Sequence, residues 1–244
     1  MQKIYWISGI FLIGVLLITL SCDDNSRSLG NFGIDIATVV PEGDNAYSLL
    51  LDNGKRLWPA ATAVQYAPTN NQRVFLNYTI LSNEMDGYDH YIKVNDIWNI
   101  LTKQPIKLTE QKQDSIGHDP VKANDIWVGG DYLNVWFRFN YGGIQPHAIN
   151  LVENTLSPDS DPEVIALEFR HNSYDSPSIR LYEGFVCFDL KPFRVHDTDS
   201  VKLSIKVKEW ENNITYDVIY RYNQPAMAAR SEMPIPVISS NEYY

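Results

Sequence analysis

Alternation of apolar and polar residues with a period of two constrains this chain more than any other feature. In "VKLSIKVK", Val201, Leu203, Ile205 and Val207 fall on one side of a strand, and Lys202, Ser204, Lys206 and Lys208 fall on the other. "YLNVWFRFNY" repeats the habit, setting Leu133, Val135, Phe137, Phe139 and Tyr141 against Asn134, Trp136, Arg138 and Asn140. The 3.6-residue spacing of an amphipathic helix hardly occurs. Aromatic content is high, with 15 Tyr, 6 Trp and 9 Phe, and such side chains pack well on pleated sheet. The chain reads as all-β.

The strands fall into two groups. "GIDIATVV", the two halves of "NAYSLLLDNGKRLWPA", "RVFLNYTIL" and "HYIKVNDIWNIL" make five. Asn53-Gly54 supplies the positive φ angles that a tight hairpin turn requires. In "RVFLNYTIL", Val74, Leu76, Tyr78 and Ile80 alternate with Phe75, Asn77, Thr79 and Leu81, so both faces are partly covered. "YLNVWFRFNY", "HAINLV", "IALEFRH", "FVCFDL", "VKLSIKVK" and "ITYDVIYRY" form a second group, whose single wet faces argue for an antiparallel sandwich. Between the groups, in "TKQPIKLTEQKQDSIGHDP" (102–120), polarity rises and the alternation lapses. This puts the first domain at 33–112 and the second at 113–224. Residues 225–244 carry three prolines and no period, and read as a tail. Asn-Asp-Ile-Trp occurs at 95–98 and again at 124–127, a repeat expected to arise by chance or to mark twin turns bringing Trp98 and Trp127 to the domain junction.

The N-terminus is of another kind. Lys3 precedes an uncharged run from Ile4 to Leu20, slightly short of the ~20 apolar residues that cross a bilayer as a helix. No basic cluster follows it to stop transfer. The run closes on Thr19-Leu20-Ser21-Cys22, which resembles a bacterial lipobox, with Thr19 where Leu is more usual. Residues 1–21 then form a lipoprotein signal peptide, Cys22 is the lipidated N-terminus, and 22–32 form a flexible tether. A eukaryotic signal peptide and a true membrane span are the competing readings. Two or three acyl chains, at ~0.8 kcal/mol per buried CH2, give an effectively permanent anchor. Asp23 and Asp24 resemble an acidic sorting signal for the outer membrane, on its periplasmic or its surface-exposed face; an ordinary solvated tether would have the same composition. The other cysteine, Cys187, lies in "FVCFDL" and reads as a small buried hydrophobe.

Charge excludes one class of partner. The chain has 20 basic and 30 acidic side chains, and loss of residues 1–21 removes only Lys3 from that balance. So acidic a surface repels phosphate backbones, whose binding rests on counterion release to Lys and Arg.

"LLLDNGKRLWPA", "QRVFLNYTIL", "YIKVNDIWNILTKQPIKL", "DPVKANDIWVGGDYLNVWFRF", "HAINLV" and "ALEFRHN", in that order between Gly33 and Arg221, resemble the NigD-like family of bacterial lipoproteins. The resemblance implies an N-terminal five-stranded OB-type barrel and a C-terminal β-sandwich. It brings no established activity, and the association of the family's name with a bacteriocin gene cluster assigns no chemistry.

Motifs for catalysis are missing: there is no Gly-x-Ser-x-Gly, His-Glu-x-x-His, Walker or Gly-x-Gly-x-x-Gly pattern. Catalytic residues, metal ligands and cofactors are therefore expected to be none, with paired carboxylates for sugar hydrolysis left open because they meet only in space. His90, His118, His147, His171 and His196 show no metal spacing, and His147 and His171 read as structural histidines at strand ends. Asp159, Asp161 and Glu163 in "SPDSDPEV" have alternate spacing that suits calcium but lack the EF-hand glycine and distant glutamate, so a solvated turn is the expectation. Asn77 and Asn213 are chance glycosylation sequons. Two functions remain: an accessory lipoprotein that docks another envelope protein or a secreted toxin, or a surface glycan- or peptide-binding module using the barrel groove.

Overall fold

Five strands close into a barrel at the N-terminal end of the computed structural model, which describes residues 32–44, 46–143, 145–154, 156, 164–222 and 242–244. They are β1 (Phe32–Gly43), β2 (Ala46–Leu51), β3 (Arg56–Thr62), β4 (Arg73–Ser82) and β5 (His90–Asn99), in the order β1-β2-β3-β5-β4 and back to β1. The β3–β5 pairing runs parallel, with Leu57 opposite His90 and Trp58 opposite Tyr91. Alternation selects the filling: Ala37, Val39, Leu49, Leu51, Leu57, Val74, Leu76, Ile92 and Val94 all point inward. The β2–β3 turn departs from the tight two-residue form. Gly54 has φ 86° but Asn53 does not join it at positive φ, and Leu51 N–H bonds the carbonyl of Lys55, closing a three-residue loop on the glycine. The Asp-Gly pair that does adopt the two-residue form is Asp86-Gly87, φ 53° and 83°, between the bridged Met85 and Tyr88.

The remaining strands are β6 (Leu101–Lys103), β7 (Ile106–Lys107), β8 (Lys122–Gly129), β9 (Tyr132–Tyr141), β10 (Ala148–Glu153), β11 (Val164–Asn172), β12 (Arg180–Asp189), β13 (Ser200–Lys208) and β14 (Asn213–Arg221). They form one sheet β14-β13-β11-β10-β7 and a second β6-β12-β9-β8. In β13, Val201, Leu203, Ile205 and Val207 are buried while Lys202 and Lys206 are exposed. Antiparallel pairs dominate, but β6–β12, β7–β10 and β11–β13 run parallel. Since β6 and β7 hydrogen-bond into the sandwich, the passage from one module to the other comes at Ile100, earlier than the expected 112. Strands of three and two residues are too short to show alternation, which is why polarity misplaced it.

Both Asn-Asp-Ile-Trp segments lie inside strands, β5 and β8, and not in turns. The register slips at each: Asn77 faces Asp96 while Tyr78 faces Val94, and Ala123 and Asp125 face consecutive residues of β9. Each motif is therefore a β-bulge with its asparagine as the extra residue. Trp127 does reach the junction, packing on Phe185 at 5.5 Å, whereas Trp98 is 41% exposed.

The expected tail does not extend to the chain's last residues. Tyr243 bridges His147 and is 4% exposed; its hydroxyl accepts from Phe185 N–H at 2.9 Å and donates to Phe185 carbonyl at 2.8 Å. Residues 1–21, Cys22, the tether as far as residue 31, the acidic loop Asp159, Asp161 and Glu163, and 225–241 lie outside the described residues. Among the described residues no helix is long and apolar enough to cross a membrane.

Candidate functional site

Residues Gly33–Tyr244 form one compact unit, and a third apolar cluster accounts for it. Ile36, Phe75 and Ile100 point out of the barrel and are buried against Tyr132, Phe185 and Cys187 of the sandwich, with Trp127 and Trp136 at the margin. Phe75 meets Phe185 edge-on at 4.9 Å. Modules that share a core in this way do not swing freely on a hinge.

A buried polar knot lies beside that cluster. Arg73, 1% exposed, holds Asp52 through Nη1 at 2.7 Å and Nη2 at 2.8 Å. It also donates to Thr38 Oγ1 at 2.9 Å and, across the seam, to Asn134 Oδ1 at 3.2 Å. Asn134 Nδ2 returns a bond to Asp52 Oδ2, and the Cys187 thiol donates to Asn134 Oδ1. Burial works against the Arg73 charge, but the Asp52 carboxylate outweighs it and holds the guanidinium protonated. The same burial pushes the Cys187 thiol up to about 12. Cys187 is thus a core thiol, as "FVCFDL" suggested.

One surface adjoins the knot, and a second lies farther round the barrel. A cleft of about 480 Å³ runs between the barrel's Thr38, Val40, Leu50 and Asn71 and the sandwich's Tyr132 and Lys191. Junction clefts of this size are common ligand sites. Farther round the barrel wall, register carries the surface from Leu50 to its partner Arg56 and on to Trp58 and Tyr91. Here the rings gather: Trp58 lies 5.0 Å from Tyr88, and Tyr88 lies 6.2 Å from Tyr91. The Arg56 guanidinium sits over Tyr88 at 5.3 Å. The Asp86-Gly87 turn positions this group, because it folds Tyr88 back over β3 and lets Asp86 accept from the Tyr91 hydroxyl at 2.9 Å. Asp89 accepts from Arg56 N–H at 2.7 Å, and Glu42 takes the Arg56 side chain at 3.0 Å. Trp58, Tyr88 and Tyr91 are half-buried, so their rings keep contact with solvent.

The histidines divide. His90, His118 and His196 stand apart, whereas His147 and His171 meet in the sandwich at 2.9 Å between Nδ1 and Nε2. His171 Nδ1 bonds the Pro120 carbonyl at 3.1 Å, which makes Nδ1 its donor and leaves Nε2 to accept from His147. Desolvation, then the neighbouring His147, depresses His171 to about 4, and burial lowers His147 too. Among the described residues no three His, Cys, Asp or Glu side chains gather as a metal site would require. Sequence spacing gave no sign of the His147–His171 pair, of the polar knot or of the ring cluster. Only the Asp-Gly dipeptide advertised the turn that builds the last.

Comparison with known proteins agrees with this architecture. The NigD-like N-terminal OB domain matches residues 36–100, and the NigD-like C-terminal beta sandwich domain matches 104–220. The chain belongs to the NigD-like family. Among solved structures, it resembles a protein of Parabacteroides distasonis described as toxin-related, at 42% identity and a TM-score of 0.69, over 79% of this chain and 94% of that one. A Bacteroides vulgatus protein of unknown function follows at 30% identity and TM-score 0.71, covering 83% and 96%. A NigD-like immunity protein of Bacteroides caccae shares the fold at 20% identity and TM-score 0.63, covering 78% and 96%. No curated protein matches the chain.

Proposed function

We propose that this NigD-like protein is a lipid-anchored lipoprotein of the outer membrane that works without catalysis, docking another protein of the cell envelope or a secreted toxin. The anchor rests on the run from Ile4 to Leu20 closing at Cys22. The observation that carries the docking reading is the solvent-facing group Arg56, Trp58, Tyr88 and Tyr91 on the barrel wall. Trp, Tyr and Arg are the residues in which binding energy concentrates at protein interfaces. The closed barrel that carries them, with the neighbouring Leu57 and Ile92 buried in its core, holds this face in place, so little ordering cost accompanies docking. The descriptions of relatives as toxin-related and as an immunity protein are in keeping with a protein-binding role.

The cleft between Leu50 and Tyr132 favours a second reading, a glycan- or peptide-binding module. Cross-linked capture from detergent-solubilised envelopes tests the first. A protein partner held stoichiometrically supports docking; absence of any partner, together with retention on a glycan array, favours the module.

A further inference from the structure

We infer that the partner seated on the Arg56–Trp58–Tyr88–Tyr91 face is a cationic polypeptide segment; the inference rests on the docking reading above. Three carboxylates bond residues of this face: Asp86 accepts from the Tyr91 hydroxyl, Glu42 from the Arg56 side chain and Asp89 from the Arg56 amide. Two cations stand against them, Arg56 and the exposed Lys93, which lies two residues beyond Tyr91 on the same face of β5. Glu42 engages Arg56 at 3.0 Å, which leaves Asp86 and Asp89 against Lys93 and keeps the local balance acidic by one charge. The wider barrel reinforces it, since residues 33–100 carry eight Asp or Glu and four Lys or Arg, of which Asp52 and Arg73 neutralise each other in the knot.

The rings point to the same chemistry. Aromatic faces attract ammonium and guanidinium groups, Trp most strongly. Tyr88 already holds one guanidinium, that of Arg56, at 5.3 Å. The interplanar angles, 44° between Trp58 and Tyr88 and 67° between Tyr88 and Tyr91, make a ridged surface and not the flat platform on which a sugar ring stacks. Met85, 45% exposed at the turn beside Tyr88, adds an adaptable apolar contact for side chains flanking a Lys or Arg. Complementary charge of this kind speeds encounter and screens out acidic partners.

The test uses the full chain in uncharged detergent micelles and a fluorescent probe peptide of alternating Lys and Leu, with a Glu/Leu peptide and a neutral oligosaccharide as controls. The Lys/Leu peptide is expected to bind, with affinity that falls as salt rises and drops about tenfold or more in Trp58→Ala. Asp86→Asn with Asp89→Asn keeps the turn and its bonds while removing charge, and is expected to weaken binding and flatten its salt dependence. Trp210→Ala, on the distant β13–β14 turn, is expected to change nothing. Equal binding of the Glu/Leu peptide, binding indifferent to all these variants, or preference for the oligosaccharide overturns the inference. Envelope capture separates the two levels. A partner caught equally by the wild type and by Trp58→Ala leaves docking intact and removes this face; a partner caught by neither removes docking itself.

Discussion

The Asp52 carboxylate occupies the space that a side chain at Gly129 would need: a Cβ there would lie 1.9 Å from Oδ2. Asp52 belongs to the barrel's β2–β3 turn and Gly129 ends β8 of the sandwich, so the missing side chain lets one module's charge enter the other's surface. The same carboxylate is the counter-ion of the buried Arg73. The seam between modules is therefore sterically and electrostatically specified at one point.

Asp52→Ala strands the Arg73 charge in a buried site, and removal of one partner from such a pair costs about 3–5 kcal/mol. Gly129→Ala costs about 1–3 kcal/mol by forcing Asp52 aside. Replacing both charges, Asp52→Leu with Arg73→Met, is expected to recover most of the Asp52→Ala loss. Urea unfolding midpoints measure all three, and the shared core predicts one cooperative transition for barrel and sandwich together.

Acid is expected to weaken the sandwich through His171. Its pKa near 4 in the folded chain stands below the ~6.5 of an unfolded one, so the unfolded chain takes the proton first. The contribution is complete above about pH 6.5, declines as pH falls toward 4, and levels off below that, for a total on the order of 3 kcal/mol. His147, also lowered, adds to the same trend. His171→Gln, which keeps a donor for Pro120, is expected to flatten the plot of stability against pH across this window.

Tyr243 fastens the chain's end. Its ring packs on Phe137 at 5.2 Å and Phe139 at 5.9 Å, and its hydroxyl bonds both backbone groups of Phe185. Tyr243→Ala is expected to cost about 3–5 kcal/mol as a large-to-small core change. Tyr243→Phe is expected to cost about 1–3 kcal/mol, because it leaves those backbone groups unpaired. Thermal denaturation of the two variants separates ring from hydroxyl.

Cys187, wholly buried and with its thiol pushed up to about 12, is expected to resist maleimide in the native protein and to react in denaturant. Labelling of the native thiol at a rate near that of a free peptide would contradict this.

Alternation made much of this architecture legible, because strands such as β13 keep one wet face and one core face. It misled where a second module covers the outer face: Asn134 sits at a position the pattern turns away from its own core, yet it is buried in the seam, whereas the burial of Phe75 agrees with the two-sided cover expected of β4. Arg73 is concealed for the same reason, since nothing local distinguishes a buried arginine from a solvated one. His147 and His171 are 24 residues apart and meet only because β10–β11 pairing sets Ile149 opposite His171. The ring cluster needs the parallel β3–β5 register, which no spacing in the chain discloses.

Docking at a membrane requires that the protein be held there, so the most direct measurement is metabolic labelling with radioactive palmitate, comparing wild type and Cys22→Ala, with the intact mass of the mature chain. The account predicts label on the wild type alone and a mature N-terminus at Cys22 carrying acyl groups. An unlabelled wild type, label that survives Cys22→Ala, or a mature chain beginning at another residue contradicts it.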